Sequence, residues 1–488
     1  MNERAASRAL LGKGSVYTVA TAAQLLAALL AQPALTRLLD KPDYGRAALG
    51  VVVTQLVGMV VTAGLPAVVT REHFIRRNGP GAGTLVTMSV LVAVGLGGLV
   101  MLTGPLWAAP FGGFDAPMAV AALSGVAFAI IQSGQALQRA RGEAGRFVIV
   151  AASNALGGQL LGVAIATWVL RSAVGYLAGV GIGMAAAAAL CTLWARPSFR
   201  GITDRLAVRR WFAVALPTIP HLIAMYLMQA GDRGVITALR GDAANAAYTV
   251  AYLTGSLGIV LVNAANNAWA PLIYGAPEES RWSVLAGTTR DVLRLGAIGA
   301  VGIALGAPLG LAIIGDPGKY DLGPLVPVVA VTALATVAIV FYLSGVHVIF
   351  WTGRTKPLLW IAPVAVAVNL AAKSTVIALT GEEAGFVGVA VVTVLSYGLL
   401  AVLVQWSAGR LAAVPWRGRW WPVAFAAVGC AAGALLPGGG AVGWSTRGAG
   451  VAVVAALAIR EVRMVVGWRR SGSGGDGSPA PVETATPR

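Results

Sequence analysis

Lys373 and Asn369 stand four residues apart in a run otherwise made of Leu, Ala, Val and Ile, so a helix presents them one turn apart on one face. An amine and an amide so placed can hold an anion or line a hydrated path. A lysine at the centre of a bilayer costs roughly 2.5–3.5 kcal/mol on insertion scales, so such residues usually face a cavity. The competing reading counts from Leu358. Lys373 then lies about 22 Å into the membrane and can snorkel to the far surface. Asp232 and Arg233 interrupt a second apolar run, and the apolar "GVITAL" that follows lets the helix continue through them. Neighbours on a helix point about 100° apart, so each can pair elsewhere, or both can mark a membrane boundary. His221 follows Pro220, where a broken backbone could expose carbonyls. A satisfied interior histidine is the favoured reading there, and a proton-coupling group the sharper one. Gln24 and Arg37 are the polar candidates of the first apolar run.

Chemistry of other kinds is thinly represented. "GKGS" at Gly12–Ser15 lacks the upstream glycine and strand of a phosphate loop, and reads as a basic lead into a span. The sequence has no His-Glu-x-x-His, no Cys-x-x-Cys and no nucleophile elbow. Cys191 and Cys430 both fall in apolar runs without metal-ligand spacing. No cofactor or metal is expected, and no enzymatic activity.

The elements that must position the polar residues are membrane helices. Of the residues, 57% are hydrophobic and 11% charged, with a mean hydropathy of +0.77. A soluble domain carries about 25% charged residues, so the bilayer must be the solvent. Apolar runs fall near 15–35, 47–70, 84–104, 117–137, 147–170, 174–195, 212–231, 244–268, 292–315, 324–350, 358–380, 384–408, 421–437 and 444–466, which we number as spans 1–14. The net charge of +17 points to basic inner loops rather than to nucleic acid. With the N-terminus inside, about 27 of the 36 basic residues fall on the inner side, which predicts both termini cytoplasmic. The stripe Gly175, Gly179, Gly183 reads as a helix-packing seam.

The chain also repeats itself. Tyr44-Gly45 answers Ala247-Tyr248, Gly142 answers Gly353 and Gly175 answers Gly385, each pair about 200–210 residues apart. The expectation is an all-α polytopic protein of two pseudo-symmetric six-helix lobes plus a C-terminal helix pair. The predicted divisions are 1–210 with a basic linker at Arg196–Arg210, 211–408, 409–466, and a disordered tail at 467–488.

Taken in order, three stretches resemble Wzx-type polysaccharide flippases of the multidrug/oligosaccharidyl-lipid/polysaccharide flippase superfamily. They are "LLGKGSVYTVATAAQLLAALLAQPALTRLLDKPDYG", then "ALPTIPHLIAMYLMQAGDRGVI" leading into "AAYTVAYLTGSLGIVLVNAANNAWAPLIYG", and "NLAAKSTVIALTGEEAGFVGVAVVTVLSYG". The likeness covers roughly residues 10–410. It implies a flippase that turns a polyprenyl-pyrophosphate-linked oligosaccharide from the inner to the outer leaflet of a bacterial cytoplasmic membrane by alternating access. It also implies the lipid-linked glycan as substrate, with a polysaccharide polymerase and glycosyltransferases as further partners. Arg37, Arg233 and Lys373 are the candidates for meeting the diphosphate. Relatives that flip the peptidoglycan precursor tend to carry charge in span 1, and here that span offers Gln24 but no charge before Arg37. A cation-coupled drug antiporter of the same superfamily is the main alternative. Acidic residues deep in spans 1–6 would favour it, and none is found there. A membrane enzyme of glycan assembly is disfavoured by the short outer loops, and a scaffold stays open.

Overall fold

The computed structural model describes residues 27–75, 81–199, 202–416 and 420–472, and every regular element among them is a helix. Ten of these helices are long and apolar enough to cross a membrane, or twelve if two bent pairs each count as one span. The expected fourteen therefore stands as ten to twelve. The other two positions belong to span 1, described only from residue 27, and to span 13, a helix of 15 residues at Trp421–Leu435.

The bends have local causes. Span 8 turns by 51° at Ser256, between Asp242–Gly255 and Leu257–Asn266. Span 9 turns by 70° at Gly306, where Pro308 starts the helix Ala307–Ile314. Span 7 runs on to Arg240, past Asp232 and Arg233, and so has no boundary at those charges. The basic linker is partly helical. Asp204 accepts from the backbone N–H groups of Leu206 (3.0 Å) and Ala207 (3.1 Å) and thereby starts the helix Arg205–Ala215. That helix buries Ala207 and Trp211 against Leu65 and Val68 and leaves Arg205, Arg209 and Arg210 exposed.

Small residues bring the helices together. A Cβ on Gly179 would lie 2.5 Å from the Gly162 backbone, and one on Gly183 would lie 2.4 Å from Gly158 Cα, so spans 5 and 6 meet backbone to backbone. The sequence repeat has a conformational counterpart. Gly142 and Gly353 directly follow or nearly follow spans 4 and 10, and both adopt left-handed φ, of +70° and +68°. Gly175 and Gly385 both lie in the first turn of their helices, Ala173–Ala195 and Glu382–Gly409.

The two halves are tied at one end of the bundle, which we call the Tyr44 end. A Cβ on Gly45 of span 2 would overlap the Asp242 carbonyl of span 8, and the Asn245 amide donates to the Gly45 carbonyl at 2.9 Å. Only glycine permits that approach.

Candidate functional site

Span 7 and span 11 bring the predicted charges together. Asp232 and Lys373 are both wholly buried, with Lys373 Nζ 3.8 Å from Asp232 Oδ2. The Tyr248 hydroxyl donates to the same Oδ2 at 2.7 Å, and the Arg233 backbone N–H donates to Oδ1 at 3.0 Å. The guanidinium of Arg233 points elsewhere, over the ring of Tyr252 at 4.7 Å. One carboxylate thus has one cation facing it and a second close by, an arrangement that a bilayer interior tolerates only inside protein.

The snorkelling reading of Lys373 is corrected by this geometry, because its ammonium is directed at Asp232 and is shut off from solvent. Asn369 does lie on the same helix face, fully buried, but its Oδ1 and Nδ2 have no hydrogen-bond partner, and Lys373 Nζ has none either.

The remaining candidates lie apart. His221 sits in the first turn of Ile219–Arg240, about 16 Å along the helix from Asp232, with Nδ1 unpartnered. Arg37 donates to the carbonyls of Pro33 (2.7 Å), Ile313 (3.2 Å) and Ala312 (3.3 Å). Gln24 lies outside the described residues.

Arg37 belongs to a latch at the Tyr44 end that sequence reasoning did not find. Lys319 donates to the carbonyls of Arg37 and Leu39 at 2.8 Å each, and of Thr36 at 3.3 Å. A cation there meets the unpaired carbonyls where helix 27–38 ends. Thr36 in turn donates to the Ile314 carbonyl at 2.6 Å. Arg46 of span 2 pairs with Asp115 at 2.8 Å and reaches Asp242 of span 8 at 3.9 Å. Tyr320, in the connection beside Lys319, is buried under Lys41, and burial pushes its hydroxyl above the ordinary tyrosine value. The available signal was the short basic–aromatic sequence Lys319-Tyr320 after the Pro308 break, which reads as an ordinary loop.

Comparison with known proteins now decides the family. Residues 10–275 match the model of the polysaccharide biosynthesis protein family, more than half of the chain. The chain belongs to that family of Wzx-type flippases. Among solved structures, it is similar to a multidrug resistance MATE family transporter of the MOP superfamily in an inward-facing conformation. The TM-score is 0.63 at 15% identity, over 81% of this chain and 96% of that one. An outward-facing structure of a multidrug resistance MATE family transporter of the MOP superfamily gives 0.56 at 15% identity over 83% and 96%. A MOP superfamily transporter from Pyrococcus furiosus gives 0.56 at 14% identity, over 82% and 95%. These likenesses establish a shared transporter fold. No curated protein matches the chain. The flippase family membership and the fold are those of a multi-pass membrane transporter.

Proposed function

We infer that the protein flips a polyprenyl-pyrophosphate-linked oligosaccharide across a bacterial cytoplasmic membrane, as part of cell-surface polysaccharide assembly. The observation that carries this reading is the buried Asp232–Arg233–Lys373 cluster, set in a chain of the polysaccharide biosynthesis family. The cluster holds one formal negative and two positive charges, so it offers a net cation to a diphosphate. A glycan needs a hydrated path, a diphosphate needs a few cations, and the polyprenyl chain can remain in lipid. Asn369 and Lys373, whose polar atoms lack hydrogen-bond partners, would supply donors once the helices part.

In this reading residues 1–210 and 211–408 are the two lobes, and residues 409–466 are an accessory pair. The Tyr44 end is the outer end, and both termini lie in the cytoplasm. The bonds of Lys319, Thr36, Arg37 and Asn245 then close the outer side, and alternating access requires them to break. The first half favours this reading over a drug antiporter. Its described acidic residues, Asp40, Asp43, Glu72, Asp115, Glu143 and Asp204, all sit near helix ends rather than at mid-membrane.

The decisive experiment is deletion of the gene in its own host, with fractionation of lipid-linked glycan by leaflet. Inner-leaflet accumulation is expected. Normal delivery to the outer leaflet in the deletion strain would end the proposal.

A further inference from the structure

At the end of the bundle opposite Tyr44, spans 9, 10 and 12 and the start of span 13 enclose a cleft of about 480 Å³. Its wall carries Trp406, Trp416, Trp420 and Trp421, all substantially exposed, together with Arg290 and Arg294. A third cation, Arg410, stacks on Trp406 at 3.6 Å and faces no carboxylate among the described residues. The protein has 14 tryptophans, so a group of four around one cleft is a concentration that needs a cause.

Two of the cations, Arg290 and Arg410, are only lightly committed. Arg290 is half exposed and its ion pair is with its own neighbour Asp291, at 3.3 Å. Arg294 is more committed, reaching Glu461 at 3.6 Å and lying over the Trp421 ring at 5.7 Å. Tryptophan favours the headgroup level of a bilayer, where one edge of the ring is wet and the other apolar. Basic pockets between membrane helices at that level suit lipid phosphates. A cleft with an indole wall and loosely held guanidinium groups therefore matches a phosphodiester at its mouth and acyl chains along its apolar side.

We propose that this cleft is a binding site for an anionic phospholipid of the leaflet on that side, held by Arg290, Arg294 and Arg410 and packed by Trp406 and Trp420. The site is separate from the Asp232–Lys373 cluster and does not depend on which substrate the protein moves. Phosphatidylcholine, which carries its own cation, gains nothing from these arginines.

The tryptophans supply the readout. The purified full-length protein in mixed micelles is titrated with brominated phosphatidylglycerol or brominated phosphatidylcholine, and the quenching of tryptophan fluorescence is followed. Half-quenching by the phosphatidylglycerol is expected at a concentration about tenfold lower, from roughly a fivefold gain per engaged arginine near a surface, partly screened. Arg290→Gln with Arg410→Gln should remove most of that preference, and Trp406→Phe with Trp420→Phe should remove the preferred component of the quenching. The single variant Arg290→Gln, at a half-exposed position, serves if the double variant does not fold, and should reduce the preference severalfold. Equal quenching by the two lipids in the unaltered protein overturns the proposal. So does a preference that survives in every arginine variant. Relief of quenching by undecaprenyl phosphate at lower concentration than by unbrominated phosphatidylglycerol would assign the cleft to a polyprenyl lipid, and would equally overturn it.

Discussion

Removing the charge of Asp232 alone should damage the protein more than removing both charges of the Asp232–Lys373 pair. At 3.8 Å, two unit charges attract by about 4 kcal/mol at an effective dielectric of about 20. Neither side chain reaches solvent, so deleting one partner strands the other, at a cost of about 3–5 kcal/mol. The two single variants should not be equal. Asp232→Asn keeps an oxygen to accept the Tyr248 hydroxyl, but leaves Lys373 and Arg233 together without a counter-charge. Lys373→Met leaves Asp232 with Tyr248 and with the electrostatic attraction of Arg233, so its loss should fall at the low end of that range. The double variant Asp232→Asn/Lys373→Met has one buried cation instead of two and should unfold at a higher temperature than Asp232→Asn alone. Thermal loss of the monodisperse peak of the detergent-solubilised chain gives the ranking, which is all that irreversible unfolding permits. Transport separates stability from function: the double variant, though more stable than Asp232→Asn, should not restore glycan delivery. A double variant as unstable as the sum of the singles would refute the pairing, because independent sites add.

Three further outcomes follow from particular contacts. Arg447 in span 14 donates to five carbonyls, those of Ala304, Leu305, Gly433, Leu436 and Pro437, so Arg447→Gln should cost several of these bonds, about 1.5–3 kcal/mol each, and expose spans 13–14 to limited proteolysis. An unchanged digestion pattern would contradict that role. Gly179→Leu should abolish folded protein in the membrane fraction, whereas Gly95→Leu, with nothing within 4 Å of its Cβ position, should be tolerated. Lys319→Met removes three bonds to the end of helix 27–38, so a cysteine placed at the fully buried Leu39 should react severalfold faster with a membrane-impermeant maleimide. The native Cys191 and Cys430 are both buried and should leave the background low.

Much of the fold was legible because bilayer spans and small-residue seams leave local marks. The glycine stripe at 175, 179 and 183 could be read as packing from spacing alone, and the structure closes it against Gly158 and Gly162. Asn369 and Lys373 could likewise be placed on one helix face. Their surroundings could not be read. The partner of Lys373 is Asp232, 141 positions earlier on another span, and nothing local to either residue announces the other. Arg37 shows the same limit from the other side. Its position at the end of an apolar run is equally suited to an anion and to helix carbonyls, and Ala312 and Ile313, far along the chain, determine that it caps. Span ends were blurred for a related reason. Asp232 and Arg233 look like a membrane boundary only while their partners are unknown, and with those partners the helix continues to Arg240.

The repeat itself shows where the two halves part company. Tyr44, on span 2, donates its hydroxyl to Gln32 of span 1 at 2.8 Å; Tyr248, on span 8, donates to Asp232 of span 7 at 2.7 Å. The bond is the same in kind, from the even span back to the odd span before it, and both tyrosines are almost wholly buried. The acceptor is neutral in the first half and ionised in the second. A neutral acceptor satisfies the hydroxyl and asks for nothing more, whereas a buried carboxylate must be compensated, and Lys373 and Arg233 are what compensate it. At this bond, therefore, the second half carries an electrostatic constraint that its counterpart in the first half does not. Anything that draws Lys373 away from Asp232, including an anion, must repay the stranded carboxylate, so binding at this cluster and the packing of span 7 against span 11 are linked by necessity.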